Sequence, residues 1–139
     1  MNRIIFLLVF LLVLSGCRKE TIEGTIITFE ASNITASTAF SGGYIRIDNT
    51  KALSERGVVW NKIPNMPPDI NSDTYKKDNG ESIGKAINIG EKYHTKEYYV
   101  KMEKLDSKTT YYVRAYAKIK TKYGSDAVIY GEVQDFTTE

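Results

Sequence analysis

Leu105-Asp106-Ser107-Lys108-Thr109-Thr110-Tyr111-Tyr112-Val113-Arg114-Ala115-Tyr116-Ala117 is the stretch on which the reading of the fold turns. From Tyr111 onward, apolar or small residues fill every second position, the two-residue period of a strand with one face in a core. Tyr111, Val113, Ala115 and Ala117 are then expected to point inward, and Tyr112, Arg114, Tyr116 and Lys118 outward. Leu105 to Thr109 turns polar after its first residue and reads as a corner between strands.

Working outward, the rest of the chain repeats the strand signal between turns. Ile26-Ile27-Thr28-Phe29-Glu30 is a short β-rich run, Ala31-Ser32-Asn33 a turn, and Ile34 to Phe40 an alternating strand. Ser41-Gly42-Gly43 permits a bend or bulge before Tyr44-Ile45-Arg46-Ile47, and Asp48-Asn49-Thr50 turns the chain again. Glu55 to Trp60 reads as a buried strand, with Val58 and Trp60 on one face and Val59 on the other. Asn61 to Gly84 holds all three prolines and has no sustained period, so a long mobile excursion with little structure of its own is expected. Strands resume at about Lys85 to Ile89 and Glu97 to Met102. Two long strands, Thr109 to Lys120 and Ala127 to Thr138, close the chain around a hairpin at Lys122-Tyr123-Gly124-Ser125-Asp126. Beyond the N-terminal apolar run no helical pattern of useful length occurs, and the fold class expected is an all-β, antiparallel β-sandwich of seven or eight strands.

The spacing of Leu105, Thr109 and Tyr111 resembles the E-F corner and F strand of a fibronectin type III domain. Glu55-Arg56-Gly57-Val58-Val59-Trp60 resembles the C strand, and Tyr130 to Thr138 the G strand, of the divergent fibronectin type III-like repeats of lipid-anchored bacterial surface proteins. The resemblance covers roughly residues 26 to 138. It departs from the family at Ser107, where a proline is usual, and at Trp60, which sits on the C-like strand rather than the B-like one. It implies an immunoglobulin-like sandwich used for adhesion, spacing or ligand display, with no catalytic residue to carry over.

The N-terminus is a separate signal. Met1-Asn2-Arg3 is a short basic start, Ile4 to Leu14 is unbroken Ile, Phe, Leu and Val, and Leu14-Ser15-Gly16-Cys17 holds the only cysteine. At about 1.5 Å per residue the apolar run spans roughly 16 Å, too short for a hydrocarbon core of about 30 Å. The four residues resemble the lipobox of a bacterial lipoprotein. The resemblance implies thioether attachment of diacylglycerol to Cys17, cleavage of the Gly16-Cys17 bond, and acylation of the new amine. The expected organisation is therefore a lipoprotein signal peptide at 1–16, a lipidated cysteine and short tether at 17–25, and the sandwich at 26–139. Arg18-Lys19-Glu20 is not an aspartate-type inner-membrane retention signal, and outer membrane is the expected location.

Composition narrows the function. The chain has formal net charge +2, and removing residues 1–16 takes away Arg3 as its only charged residue. No basic field suited to nucleic acid is left. The lone histidine, His94, has no second histidine to pair with, no G-x-S-x-G elbow is present, and lipid would consume the one thiol. Asp69-Ile70-Asn71-Ser72-Asp73 has the D-x-N-x-D spacing of a calcium loop, but the following glycine is Thr74 and the closing carboxylate position is Gly80. Pro64-Asn65-Met66-Pro67 fits P-x-x-P, a pattern common in loops. No catalytic residue, metal or cofactor is assigned, apart from covalent lipid on Cys17. The expectation is a non-enzymatic envelope lipoprotein that touches the membrane through its anchor and binds an envelope protein. The alternative is a glycan-binding accessory of a polysaccharide-capture system, using an outward stripe of Tyr112, Arg114 and Tyr116 or the Asn61 to Gly84 excursion.

Overall fold

Alternation of β-branched and aromatic residues with small polar ones drives the chain into antiparallel ladders. The computed structural model describes residues 24–47, 53–77, 94–121 and 124–139, with the backbone alone at 94–96. Eight strands lie among them: β1 Gly24–Thr28, β2 Ala39–Ile47, β3 Leu53–Asn61, β4 Thr74–Lys77, β5 His94–Met102, β6 Thr110–Lys120, β7 Asp126–Tyr130 and β8 Gln134–Thr137. One sheet has the order β1-β2-β5; the other has β4-β3-β6-β7, with β8 also on β6. All ladders are antiparallel. The expected strand at Lys85 to Ile89 falls outside the described residues, as do the leader and Cys17.

The two inner faces meet in a core of Ile45, Val58, Trp60, Tyr98, Val113 and Phe136, with Tyr111, Ala115 and Ala117 inward as the alternation requires. Tyr98 crosses the whole sandwich. Its hydroxyl donates to the carbonyl of Gly57 on β3 at 2.8 Å and lies 3.3 Å from that of Tyr116 on β6, so a buried phenol ties one sheet to the backbone of the other. The corner works as its chemistry demands: the Asp106 N–H donates to the Tyr111 hydroxyl at 2.8 Å, and the Tyr111 ring stacks on Phe136 with centroids 5.7 Å apart. Tyr111→Phe keeps the stack and removes the acceptor. We expect it to cost about 1–2 kcal/mol, seen as a lower urea midpoint at unchanged slope.

Four expectations are corrected. Ile34 to Thr38 is not strand: the Thr35 hydroxyl accepts the N–H groups of Ser37 and Thr38 at 3.2 and 3.0 Å, closing a turn that competes with the ladder, and β2 starts only at Ala39. Gly42 and Gly43 form no bulge; they sit in continuous register with Tyr99 and Tyr98 and are there for close approach. The final stretch is two strands rather than one. Thr28 of β1 inserts its hydroxyl to accept the Ala115 N–H at 3.0 Å, while Gly131 N–H donates to the Ala115 carbonyl at 2.9 Å, and the chain leaves β6 between Tyr130 and Gln134. The excursion after Asn61 is built, at least to Lys77. Pro68 is buried and β4 pairs Val58 and Val59 with Lys76 and Tyr75.

The strands also give the domain a direction. The chain enters β1 at Gly24, level with Ile47 and His94. The opposite pole carries Ala39, Met102, Asn61 and Thr110, where β2, β5, β3 and β6 have their other ends. Over the nine residues of β2 the poles are about 27 Å apart at roughly 3.4 Å per residue.

Candidate functional site

At the pole remote from Gly24, the end of β3, the start of β4 and the corner before β6 enclose a cleft of about 730 Å³. Trp60 and Tyr111 form its floor, and Lys62, Asp73, Glu103 and Asp106 are among its walls. Trp60 is placed there because it is the last inward residue of β3 before Asn61 turns the chain. The buried Asn61 side chain fixes that turn, accepting from Ile63 N–H at 3.1 Å and donating to the Met66 carbonyl at 3.1 Å. The literal P-x-x-P segment is therefore a tight loop with Asn65 at φ 61°, which leaves Ile63 47% and Met66 54% exposed. All four non-glycine residues with positive φ among those described, Asn33, Asn65, Lys104 and Lys108, lie at this pole. For lysine that conformation costs about 1–2 kcal/mol, and such strain concentrates at functional sites. Two ion pairs border the cleft, Lys62 with Asp106, and Lys76 with Glu103 at 3.0 Å. The Asp106 partner raises the Lys62 pKa, and Lys76 lowers that of Glu103.

The sequence-predicted stripe is split by the structure. Tyr112, Arg114 and Tyr116 do share the outer face of the five-stranded sheet, but Tyr116 is 0% exposed. Its hydroxyl donates to Glu55 at 2.9 Å, and its ring meets Tyr75 edge-on at 6.0 Å. Arg114 is half-buried, stacked over the Tyr130 ring at 3.7 Å and bonded to the Pro68 carbonyl. Pro68 and Ile70 bond to Arg114 and Tyr130, and the Tyr75 ring, carried by the edge strand β4, lies against Tyr116, so the stripe offers no platform. Tyr112 keeps partial exposure.

Glu55 is the charge centre of that face, with Lys77 at 2.8 Å and Lys118 at 3.3 Å. Burial pushes its carboxyl upward, but hydrogen bonds from Lys77, Tyr116 and Lys118 outweigh it and leave the pKa below the ordinary 4.5. Burial, then the bond to Glu55, pushes the Tyr116 phenol far above its ordinary value. A carboxyl depressed on folding adds stability above its unfolded pKa and loses it as pH falls through the folded one. The domain should therefore weaken on acidification below about pH 4.5, and Glu55→Gln should flatten that part of the profile in chemical denaturation.

The acidic loop is self-satisfied. Asp73 accepts from Asp69 N–H at 2.8 Å and the Ser72 hydroxyl at 3.0 Å, while Asp69 accepts from Asn71 N–H at 2.7 Å. Its carboxylates hold the turn that leads into β4. Among the described residues no three acid, histidine or cysteine side chains converge as metal ligands. His94 opens β5 with its backbone paired to Ile47; its side chain lies outside the described structure.

A second surface went unread in the sequence. On the outer face of the three-stranded sheet, Ile27 and Tyr44 are register partners, and Phe29 and Tyr99 bring their ring centroids within 5.2 Å across Gly42. Phe40 continues the patch, and Arg46, Glu97 and Lys101 border it. Ile27 is 53% and Tyr99 37% exposed. The outward positions of Ile26 to Glu30 and Tyr44 to Ile47 were the available signal.

Residues 1–17 match the family model of the prokaryotic membrane lipoprotein lipid attachment site, which ends on Cys17. The chain is a membrane-anchored lipoprotein. No curated protein matches the sequence. Among solved structures, this lipoprotein is similar to the sensor domain of the anti-sigma factor RsgI4 of Pseudobacteroides cellulosolvens. The short form is 19% identical with TM-score 0.49, over 86% of this chain and 97% of that one. The long form is 16% identical with TM-score 0.49, over 85% and 89%. The solution structure is 19% identical with TM-score 0.46, over 85% and 75%.

Proposed function

We propose that this lipoprotein is a non-enzymatic binding module of the cell envelope: a fibronectin type III-like sandwich, lipidated on Cys17, held at the outer membrane, and engaging another envelope protein. Three strands facing a sheet of β4, β3 and β6 that β7 and β8 complete, together with the Tyr111 to Asp106 corner bond, support the family reading. The observation that carries the functional reading is the far pole. There a cleft floored by Trp60 and Tyr111 adjoins exposed Ile63 and Met66, and two ion pairs border it. An apolar centre inside a polar rim is the anatomy of a protein contact, with a pocket for an anchoring side chain. With Tyr116 buried and Arg114 stacked, the glycan alternative keeps only its other site, the excursion after Asn61, which supplies Lys62, Ile63 and Asp73 to the same cleft.

Ile63→Asp with Met66→Asp tests this reading. Both side chains are exposed, so the fold should survive, and affinity for the partner should fall at least tenfold, as expected for loss of two contacts of about 1 kcal/mol or more each. A partner captured equally well by the double variant would sink the proposal.

A further inference from the structure

We propose that the outer face of the three-stranded sheet rests on the phospholipid bilayer that carries the anchor. This face is the apolar one: Ile27, Phe29, Phe40, Tyr44 and Tyr99 form a continuous patch across three strands. The opposite outer face is contacted by Pro68 and Ile70 and carries the Glu55, Lys77 and Lys118 charges. Phenol and phenyl rings suit the boundary between headgroups and acyl chains, where one end of the side chain is wet and the other dry. Arg46 and Lys101, exposed at the two ends of the patch, are placed to reach lipid phosphates with their long stems along the surface.

Connectivity names the occupant. β1 is an edge strand of this sheet and follows the tether directly, so the patch begins within three residues of the point where the chain arrives from the lipid. From Cys17 to Gly24 the chain reaches at most about 24 Å fully extended. That is shorter than the domain's own length of about 27 Å, so the patch is held next to the headgroups at high effective concentration and weak contacts suffice to lay it down. A second copy fits less well. Setting Glu97 of one copy against Lys101 of the other reverses the strands and sends the two anchors to opposite poles. In the membrane-resting posture the cleft opens sideways along the bilayer.

The test uses the mature lipoprotein in vesicles of phosphatidylethanolamine with phosphatidylglycerol, its lipidation checked by mass, and a nitroxide on Ile27→Cys. Ile27 is half-exposed, so the substitution leaves the core intact. The label should lose collisions with an aqueous nickel chelate several-fold and gain collisions with oxygen, relative to a label on Met66→Cys. Tyr99→Glu should restore access of the chelate to the Ile27 label. Equal chelate access at both labelled positions overturns the proposal. Protection that vanishes at one lipoprotein per vesicle also overturns it, in favour of a second copy.

Discussion

Gly42→Ala is expected to destabilise the domain by about 3 kcal/mol, the upper range for one methyl group forced into packed structure. A Cβ at Gly42 would stand 1.8 Å from the Tyr98 carbonyl oxygen, 2.8 Å from its carbon and 2.9 Å from the Tyr99 Cα. All three are backbone atoms of β5, so no side chain can swing aside. The strand must move, and with it Tyr98, whose hydroxyl ties the sheets together. Two other glycines set the scale. At Gly57 the added carbon meets the Lys76 carbonyl at 2.1 Å, but β4 is a four-residue edge strand that can yield, and a smaller loss is expected. Gly124 has φ +82° and nothing within 4 Å, so its alanine variant costs only the conformational penalty of about 1 kcal/mol. Melting temperatures should rank in that order, with Gly42→Ala lower than wild type by about 10 °C. A Gly42→Ala domain as stable as Gly124→Ala would contradict the close approach of β2 and β5.

Cys17→Ala is expected to abolish membrane retention. At about 0.8 kcal/mol per buried methylene, several acyl chains hold a protein stably where one chain is marginal, and nothing in the apolar run of Ile4 to Leu14 is long enough to replace them. Among the described residues no helix is long and apolar enough to cross a membrane. Given a leader whose cleavage does not depend on lipidation, the variant should incorporate no labelled fatty acid and fractionate with soluble protein while keeping its β-sheet circular dichroism. The patch of Ile27 and Tyr99 then counts separately: as a lone weak contact it should not retain the lipid-free chain. A Cys17→Ala protein that still pellets with membranes would overturn the anchoring account.

What the sequence made legible was set by local physics. The period of Tyr111 to Ala117, the corner leucine and the Val58-Val59-Trp60 alternation assigned inward and outward faces, and those assignments match the structure. Alternation says which way a side chain points, but not what lies over it. Tyr116 points outward and is still buried, because the Tyr75 ring and the Glu55 carboxylate, from β4 and β3, close over it, a long-range event without a local period. The break at Gly131 has the same origin. A Cβ there would meet the Thr28 hydroxyl at 2.4 Å, so the strand ends where β1 arrives from far away in the chain. The far-pole cleft was hidden for a further reason: Trp60, Asn61, Glu103 and Tyr111 are apart in sequence and converge only through the turn chemistry of Asn61 and the corner. Thr35 misled in the other direction, since its hydroxyl-capped turn mimics a strand's alternation.

A lipid-held sandwich that meets its partner at the pole away from the anchor is tested by a photo-crosslinking residue in the mature lipoprotein, in intact envelopes. Placed at Met66, beside the cleft, it should give one discrete adduct that disappears when Trp60-side contacts are blocked by Ile63→Asp; placed at Lys120, at the anchor pole, it should not. The same adduct from both positions, or from Lys120 alone, would contradict the assignment of the binding pole.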